Sequence, residues 1–418
     1  MTPYDVNSGD TAWILTSAAL VLLMTPGLAL FYGGMVRRKA VLNMMMMSFA
    51  ALAIVSVLWV LYGYSMAFGD DLGGGLLGNP VQHLGLTDLL ADDGAALPTL
   101  AFAGFQAVFA VITVALISGA IADRAKFSTW LIFVAIWATV VYFPIAHWVF
   151  DFDAEGHVGG WIANRLAALD FAGGTAVHIN AGAAALALAL VLGQRHDWRS
   201  AEMRPHNMPL VMLGAGLLWF GWFGFNAGSA LTAGHTAAFA WVNTLAAGGA
   251  ATLGWLITER IRDHRFSSLG AASGIVAGLV AITPAANSVD PIGAILLGLI
   301  SGVVCCLAIG LKFRFGYDDS LDVVGVHLIG GIVGTLLIGL FASPASPAGV
   351  AGLLYGGGFD QLWRQAVGAG VVLVVSFAVT YGIGWALQRT IGFRATPEHE
   401  QAGIDTVWHR EEAYDLAN

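Results

Sequence analysis

Charged residues are scarce in this chain of 418 residues, because Asp, Glu, Lys and Arg together make up only 11% of it. A soluble domain of ordinary composition carries about 25%. The deficit argues against a cytosolic enzyme or a nucleic-acid-binding protein, since much of the surface must face something other than water. Hydrophobic residues reach 57%, and several apolar runs have the ~20 residues that a helix needs to cross a bilayer. The composition therefore predicts an all-α integral membrane protein in contact with lipid.

Cysteine is also nearly missing from the chain. Cys305 and Cys306 are adjacent within an apolar run, so they cannot form an ordinary disulfide and do not have the spacing of metal ligands. We expect both to be small buried residues, and we expect neither a bound metal nor a cofactor.

The apolar runs predict eleven transmembrane helices. Gly and Ala are abundant within them, which suits close packing between helices in lipid. The predicted runs lie near 11–33, 41–66, 98–122, 127–149, 171–193, 208–230, 236–258, 268–285, 291–311, 322–343 and 366–388.

Basic residues alternate between loops and predict the orientation. All of the 18 Lys and Arg residues except Arg165 and Arg364 lie after the odd-numbered runs. Loops rich in Lys and Arg stay in the cytoplasm, so the N-terminus is predicted outside and the C-terminus inside. An odd number of helices agrees with this arrangement. One of the alternate loops is instead acidic and contains Asp70, Asp71, Asp88, Asp92 and Asp93.

Two runs resemble each other and predict an internal repeat. Run five begins at Asp170 and holds His178, and run ten begins at Asp322 and holds His327. Five helices separate equivalent positions, and because five is odd the two copies must have opposite orientation. Inverted repeats place a pathway at their interface near the middle of the bilayer.

The boundaries of the domain, its repeats and the tail follow from this pattern. We predict one membrane domain over residues 1–392 and a cytoplasmic tail over 393–418. Within the domain, repeat one covers about 11–195 and repeat two about 206–343, followed by the eleventh helix at about 366–388.

His178 and His327 are polar residues in otherwise apolar helices, where ionisable groups are costly and often functional. Burial disfavours a charged imidazole, and a neutral pair offers one donor and one acceptor and could relay a proton. That chemistry suits a small weak base or a polar neutral molecule, whereas sodium would need oxygen ligands. Each histidine could instead bond to a neighbouring helix, and bis-histidine haem ligation is a further alternative. Closely packed Gly-rich helices argue against haem.

Asp170 has two interpretations. As an N-cap it would satisfy free N–H groups at the start of run five, and its field could also favour a nearby cation. We favour the structural role. Asp322 has the same two interpretations at the cytoplasmic end.

Aromatic residues are concentrated in two segments, Phe105–Phe109 and Trp222–Ser229. Such residues commonly face lipid or pack in a core. At the mouth of a pore they could instead hold a cation against their π faces, and Ser229 would add a hydrogen bond.

Four segments carry a resemblance to a known family: Phe31–Lys39, Asp170–Gly182, Gly221–Ser229 and Asp322–His327. They resemble the ammonium transporter (Amt/Mep/Rh) family, bacterial Amt type. The similarity covers essentially the whole chain in order, and the block from Asp170 to His178, Asp-Phe-Ala-Gly-Gly followed by His, is highly specific.

The resemblance implies a homotrimer with one pore in each subunit. Phe109 and Phe225 are similar to the stacked pair that closes the outer end of the pore, and Ser229 to the hydroxyl of the outer recruitment site. His178 and His327 are similar to the twin pore histidines. The resemblance further implies that Asp170 supports recruitment and fold, and that Trp222 and Thr283 lie near the pore and the outer helix ends.

One position departs from the family pattern. The family commonly has Trp at the recruitment site where this sequence has Phe150. A longer loop, Asp151–Asn164, follows it. Phe150, Trp148 or Trp161 is expected to complete an aromatic cage.

The implied function is uptake of ammonium across the cytoplasmic membrane, with methylammonium as an analogue. Ammonium would be recruited outside and lose its proton, and ammonia, with or without a relayed proton, would pass the histidines. The alternatives are an ammonium sensor with little flux and an Rh-like channel for neutral gas. In related proteins a trimeric PII signalling protein binds the cytoplasmic side, although the tail by itself resembles an ordinary solvated terminus.

Overall fold

The computed structural model describes residues 6–91, 94–199 and 204–415. Asp92 and Asp93 of the predicted acidic loop lie outside these ranges. Within them, the regular secondary structure is entirely helical, and the four β-bridges are isolated. The predicted all-α class is therefore confirmed for the described part of the chain.

Each predicted apolar run contains a helix. In chain order the helices are α1 Ser8–Met35, α2 Arg38–Phe68, α3 Thr99–Ile121, α4 Phe127–Phe150, α5 Gly174–Leu192, α6 Met208–Gly228, α7 His235–Asp263, α8 Ser268–Ile282, α9 Pro291–Phe315, α10 Val324–Phe341 and α11 Asp360–Thr390.

Nine of these helices are long and apolar enough to cross a membrane, counting only the described residues. The other two are α7, whose last turns carry charge, and α8, which has 15 residues. The chain is thus a multi-pass membrane protein, and the number of eleven crossings and their orientation stay predictions.

Glycine allows α1 and α6 to pack backbone against backbone. A Cβ atom added at Gly214 would lie 2.4 Å from the backbone nitrogen of Phe31, and one at Gly224 would lie 2.8 Å from the carbonyl oxygen of Ser17. Larger residues would push the two helices apart. The glycine content of the runs therefore has the packing role expected in a membrane protein.

A buried ion network joins the loops that follow α3, α5 and α9. Arg195 donates from Nε and Nη2 to the two carboxylate oxygens of Asp318, at 2.9 and 2.8 Å, and from Nη1 to Asp123 at 3.2 Å. All three side chains are buried. Arg124 donates to the carbonyl oxygen of Asp318. The sequence predicted that the loops after the odd-numbered runs are basic. In the fold, buried carboxylates neutralise part of that charge.

The tail packs against the helices instead of extending into solvent, so the expectation of an ordinary solvated terminus is wrong for its described part. After the short helix α12, Pro397–Ala402, Asp405 is only 1% exposed. Its carboxylate accepts the backbone N–H groups of Leu42 and Asn43 at 2.9 and 2.8 Å. These groups lie in the first turn of the α-helical part of α2, whose N–H groups lack intrahelical partners, and Asp405 supplies the acceptor.

Candidate functional site

A cavity of about 720 Å³ opens on the side of the molecule where α4 and α6 end. Aromatic side chains dominate its wall, including Phe68, Phe102, Phe105, Phe109 and Phe150. Asp151, His157, Asp170 and Ser229 add polar groups to the lining. We name this space the outer cavity, after the side of the membrane on which the charge pattern predicts it to lie. A wall of π faces that also contains the two carboxylates of Asp151 and Asp170 suits a small cation.

Phe109 of α3 and Phe225 of α6 lie together at the inner end of this region. Their ring centroids are 4.1 Å apart with an interplanar angle of 24°, and both rings are 1% exposed. Phe109 also lines the outer cavity, and Phe225 lines a smaller cavity further inside. The stacked rings therefore separate the two spaces.

Ser229 follows the last residue of α6 and lines the outer cavity. Its Oγ donates to the carbonyl oxygen of Phe225 at 2.9 Å. This bond uses the hydroxyl hydrogen and leaves oxygen lone pairs as acceptors for a donor in the cavity.

The three aromatic residues considered for the cage lie in different places. Phe150 lines the outer cavity, with its ring 6.3 Å from that of Phe109. Trp148 and Trp161 are not among the lining residues. Their rings are 6.1 Å apart, and Trp148 donates its Nε1–H to the carbonyl oxygen of Leu76. The two tryptophans therefore pack at the loop that contains Leu76. Of the three candidates, Phe150 is the one in the cavity wall.

His178 of α5 and His327 of α10 are in direct contact. Their Nδ1 atoms are 3.2 Å apart, and the side chains are almost fully buried. Each lies in a π-helical segment, Gly174–Ile179 and Val324–Leu328. One Nδ1 must donate and the other accept, so the remaining Nε2 atoms are one acceptor and one donor. Two imidazolium rings would place two N–H groups against each other.

Two small cavities lie along the histidine pair. One is lined by Phe225, Trp222 and both histidines, the other by His327, Tyr32 and Val276, and each measures about 10 Å³. Most of their lining is apolar. A cavity of this size is at the lower limit for one water molecule.

The Nε2 atom of His178 is buried and has no hydrogen-bond partner among the described residues. The ring stacks on Trp222 at 5.4 Å, and the indole Nε1–H of Trp222 goes to Thr283 Oγ1 at 2.8 Å. Thr283 donates in turn to the carbonyl oxygen of Leu279. This chain of bonds fixes the indole plane on which the His178 ring stacks, and His178 lines the small cavity together with Trp222 and His327.

Asp170 has both carboxylate oxygens occupied by the start of α5. Oδ1 accepts the N–H groups of Gly173 and Gly174, and Oδ2 accepts that of Thr175 at 2.8 Å, with a further bond from the Thr175 hydroxyl. Ala176 N–H approaches Oδ2 at 3.3 Å. The side chain is 9% exposed and also borders the outer cavity. These bonds favour the capping interpretation, and the carboxylate adds its field to the cavity.

The predicted equivalence of Asp170 and Asp322 is wrong in detail. Asp319 is the residue whose carboxylate accepts the N–H groups of Val323 and Val324, at 3.1 and 2.7 Å. Asp322 pairs with Lys312 at 2.7 Å instead. The spacing agrees with this correction, because Asp170 precedes His178 by eight residues and Asp319 precedes His327 by the same number. Sequence comparison missed Asp319 because the intervening residues differ.

Asp151 and His157 are lining residues that were not predicted as part of the site. Both belong to the loop that follows Phe150 and contact each other, with His157 Nε2 2.9 Å from both oxygens of Asp151. Their position directly after a recruitment-site residue was the signal that could have identified them.

The comparisons with known proteins agree with one another. The family described as the Ammonium Transporter Family matches residues 12–414. An ammonium transporter of Mycobacterium tuberculosis is 60% identical over 436 residues, which cover 98% of this chain and 91% of the relative. A structure titled Sensor Amt Protein superposes with a TM-score of 0.88 at 30% identity, covering 96% and 98% of the two chains. The Mep2 structure from Candida albicans gives 0.86 at 34%, covering 94% and 88%.

Proposed function

This chain belongs to the ammonium transporter family, and we propose that it takes up ammonium by recruiting the cation outside and passing ammonia through the histidine-lined path. It is a multi-pass protein of the cell membrane and a transporter, not an enzyme. The observation that carries the proposal is the histidine pair with its 3.2 Å contact, placed behind stacked phenylalanines in cavities of about 10 Å³.

Recruitment is the first proposed step. Phe150 and Phe109 offer π faces to ammonium in the outer cavity, and Ser229 offers a hydroxyl oxygen. Cation–π contacts contribute about 0.5–2 kcal/mol each, depending on desolvation. Asp170 adds a negative field from the cavity edge.

Deprotonation is the second step. Moving an unpaired cation from water into an apolar space costs several kcal/mol even after relaxation. The small cavities beyond Phe225 contain too little space for a hydrated ion. The free energy of entry is therefore lower for neutral ammonia than for ammonium. The proton is left on the outer side of the phenylalanine pair or relayed along the imidazoles.

The third step is passage along His178 and His327. The neutral pair presents one acceptor and one donor, which are the two hydrogen-bonding functions that ammonia also has. The molecule replaces part of its lost hydration there and is reprotonated on the inner side.

The membrane arrangement belongs to the same proposal. We propose eleven crossings in two inverted five-helix repeats with a final helix, the N-terminus outside, and assembly as a homotrimer. The two π-helical histidine segments and the two capping residues at the same spacing, Asp170 and Asp319, support the repeat. A PII-type protein is the proposed cytoplasmic partner.

Solid-supported-membrane currents from proteoliposomes test the transport proposal. Ammonium and methylammonium jumps are compared for the wild type and for His178→Ala combined with His327→Ala. A matched control replaces the exposed His235 and His264. We expect the pore variant to lose its ammonium response and the control to keep it. Full uptake by the pore variant would refute the role of the pair.

Two other functions have distinct outcomes. The similarity to a structure titled Sensor Amt Protein favours an ammonium sensor as the second candidate. Failure to restore growth on limiting ammonium in a transport-deficient host, despite normal expression, would support it. Uptake without ammonium-evoked current would support an Rh-like neutral gas channel.

A further inference from the structure

His157 joins two carboxylates at the edge of the outer cavity. Its Nδ1 lies 3.1 Å from Oδ1 of Asp70, and its Nε2 lies 2.9 Å from both oxygens of Asp151. His157 and Asp151 line the outer cavity, whereas Asp70 belongs to the neighbouring loop after α2. We name Asp70, His157 and Asp151 the clasp, because together they connect the two loops.

The clasp is complete only when the imidazole is charged. A neutral imidazole has one N–H group and one lone pair, so it donates to a single carboxylate and directs its lone pair at the other. The imidazolium donates to both. Burial lowers the pKa of His157, but hydrogen bonds to Asp151 and Asp70 outweigh it and raise the pKa above 6.5. The hydrogen bond to His157 lowers the pKa of Asp70 correspondingly.

Other titratable groups lie beside the clasp without replacing it. The buried His147 of α4 contacts Asp151 through Nδ1 at 3.1 Å and Asp71 through Nε2 at 3.4 Å. Further groups on the two loops are engaged in pairs of their own, Asp153 with Arg165 and His83 with Asp88.

We propose that the clasp is a pH-sensitive element of the outer cavity, in which His157 protonation closes the two loops together and weakens the attraction of the cavity for its cation. This inference rests on the proposed function, since the cation is ammonium. It assigns a role to the loop that follows Phe150, at the site where the family commonly has Trp.

The net charge of the clasp predicts how the KM for ammonium changes with pH. With His157 charged, the three clasp residues carry a net charge of −1. With His157 neutral they carry −2, and one carboxylate is released from its bond. The KM for ammonium should therefore fall as external pH rises through the raised pKa of His157. One additional charge near a cation in a solvated cavity changes binding by about two- to tenfold.

The test measures KM and maximal current from about pH 5.5 to about pH 8, a range in which nearly all substrate is ammonium. His157→Gln cannot become charged and should give a low KM that does not change with pH. His157→Arg should give a high KM that does not change with pH. Glu155→Gln removes a charge from the same loop outside the clasp and should keep the wild-type profile. If His157→Gln keeps the wild-type pH dependence, or if the wild-type KM is flat, the proposal is overturned.

A second measurement does not depend on transport. The ¹⁵N shifts of histidine-labelled protein in nanodiscs, assigned with the His157→Gln spectrum, follow His157 directly. Its titration should occur above the ordinary histidine pKa, and titration at or below that value would overturn the clasp. Absence of flux with a raised His157 titration would instead count against the proposed function alone.

Discussion

Replacing Asp170 by Asn should destabilise the protein far more than the same change at Asp322. Asn keeps one oxygen, which can retain the bonds from Gly173 and Gly174. Its amide nitrogen then faces the N–H groups of Thr175 and Ala176, which lose their acceptor. A buried donor left unsatisfied costs about 1–3 kcal/mol. Two such groups predict a loss of about 2–6 kcal/mol.

The same substitution at Asp319 and Asp322, in the second half of the chain, should destabilise the protein less. Asp319→Asn leaves one of two backbone N–H groups without an acceptor, a cost of about 1–3 kcal/mol. Asp322→Asn removes a partly exposed ion pair with Lys312, which is worth about 0–1 kcal/mol. The expected order of destabilisation is thus Asp170, Asp319, Asp322.

Thermal denaturation of the purified variants in one detergent provides the assay. The order of the three midpoints is the result, so a two-state free energy, which proteins of this kind seldom permit, is not required. Asp322→Asn serves as the matched control. If it lowers the midpoint as much as Asp170→Asn does, the assignment of the caps is wrong.

Two further predictions concern other parts of the molecule. Asp318→Asn should cost about 3–5 kcal/mol, because it leaves Arg195 buried beside a weaker partner. Burial raises the pKa of Asp318, but hydrogen bonds from Arg195 outweigh this effect and lower the pKa below its ordinary 3.8. The stabilisation from this pair is therefore present above pH 3.8 and is lost as the pH falls through the lowered pKa. The denaturation midpoints of wild type and variant should converge in acid, and a constant gap between them would contradict this prediction. Phe150→Trp should lower the KM for ammonium about two- to fivefold, because indole binds cations better than a phenyl ring does; an unchanged or higher KM would argue against Phe150 in the cage.

The helices and the family were predictable because their signals are local. Apolar runs located the helices α1 to α11 to within about six residues at each end, since the part of a helix that faces lipid must be apolar. The comparisons confirm the family resemblance. The aromatic pair and both histidines could be named in advance from motifs, although their roles stay proposals.

Several residues escaped prediction because their partners are distant in sequence. Asp319 caps α10 by accepting two backbone N–H groups. The comparison of motifs had instead matched Asp322 with Asp170. Asp405 caps α2 from more than 360 positions away. His157 is unremarkable as a loop histidine until the fold places Asp70 and Asp151 on its two nitrogens.

The sequence by itself determined that this is a helical membrane protein of the ammonium transporter family, because scarcity of charge and the length of apolar runs follow from lipid as the solvent. Only the tertiary structure decided which polar groups meet. The 3.2 Å contact of the histidines, the stacking of Phe109 on Phe225 and the bonds of His157 depend on the approach of separate helices and loops. Hydrogen bonds and ring stacking act over a few ångströms, and no one-dimensional pattern specifies distances of that size.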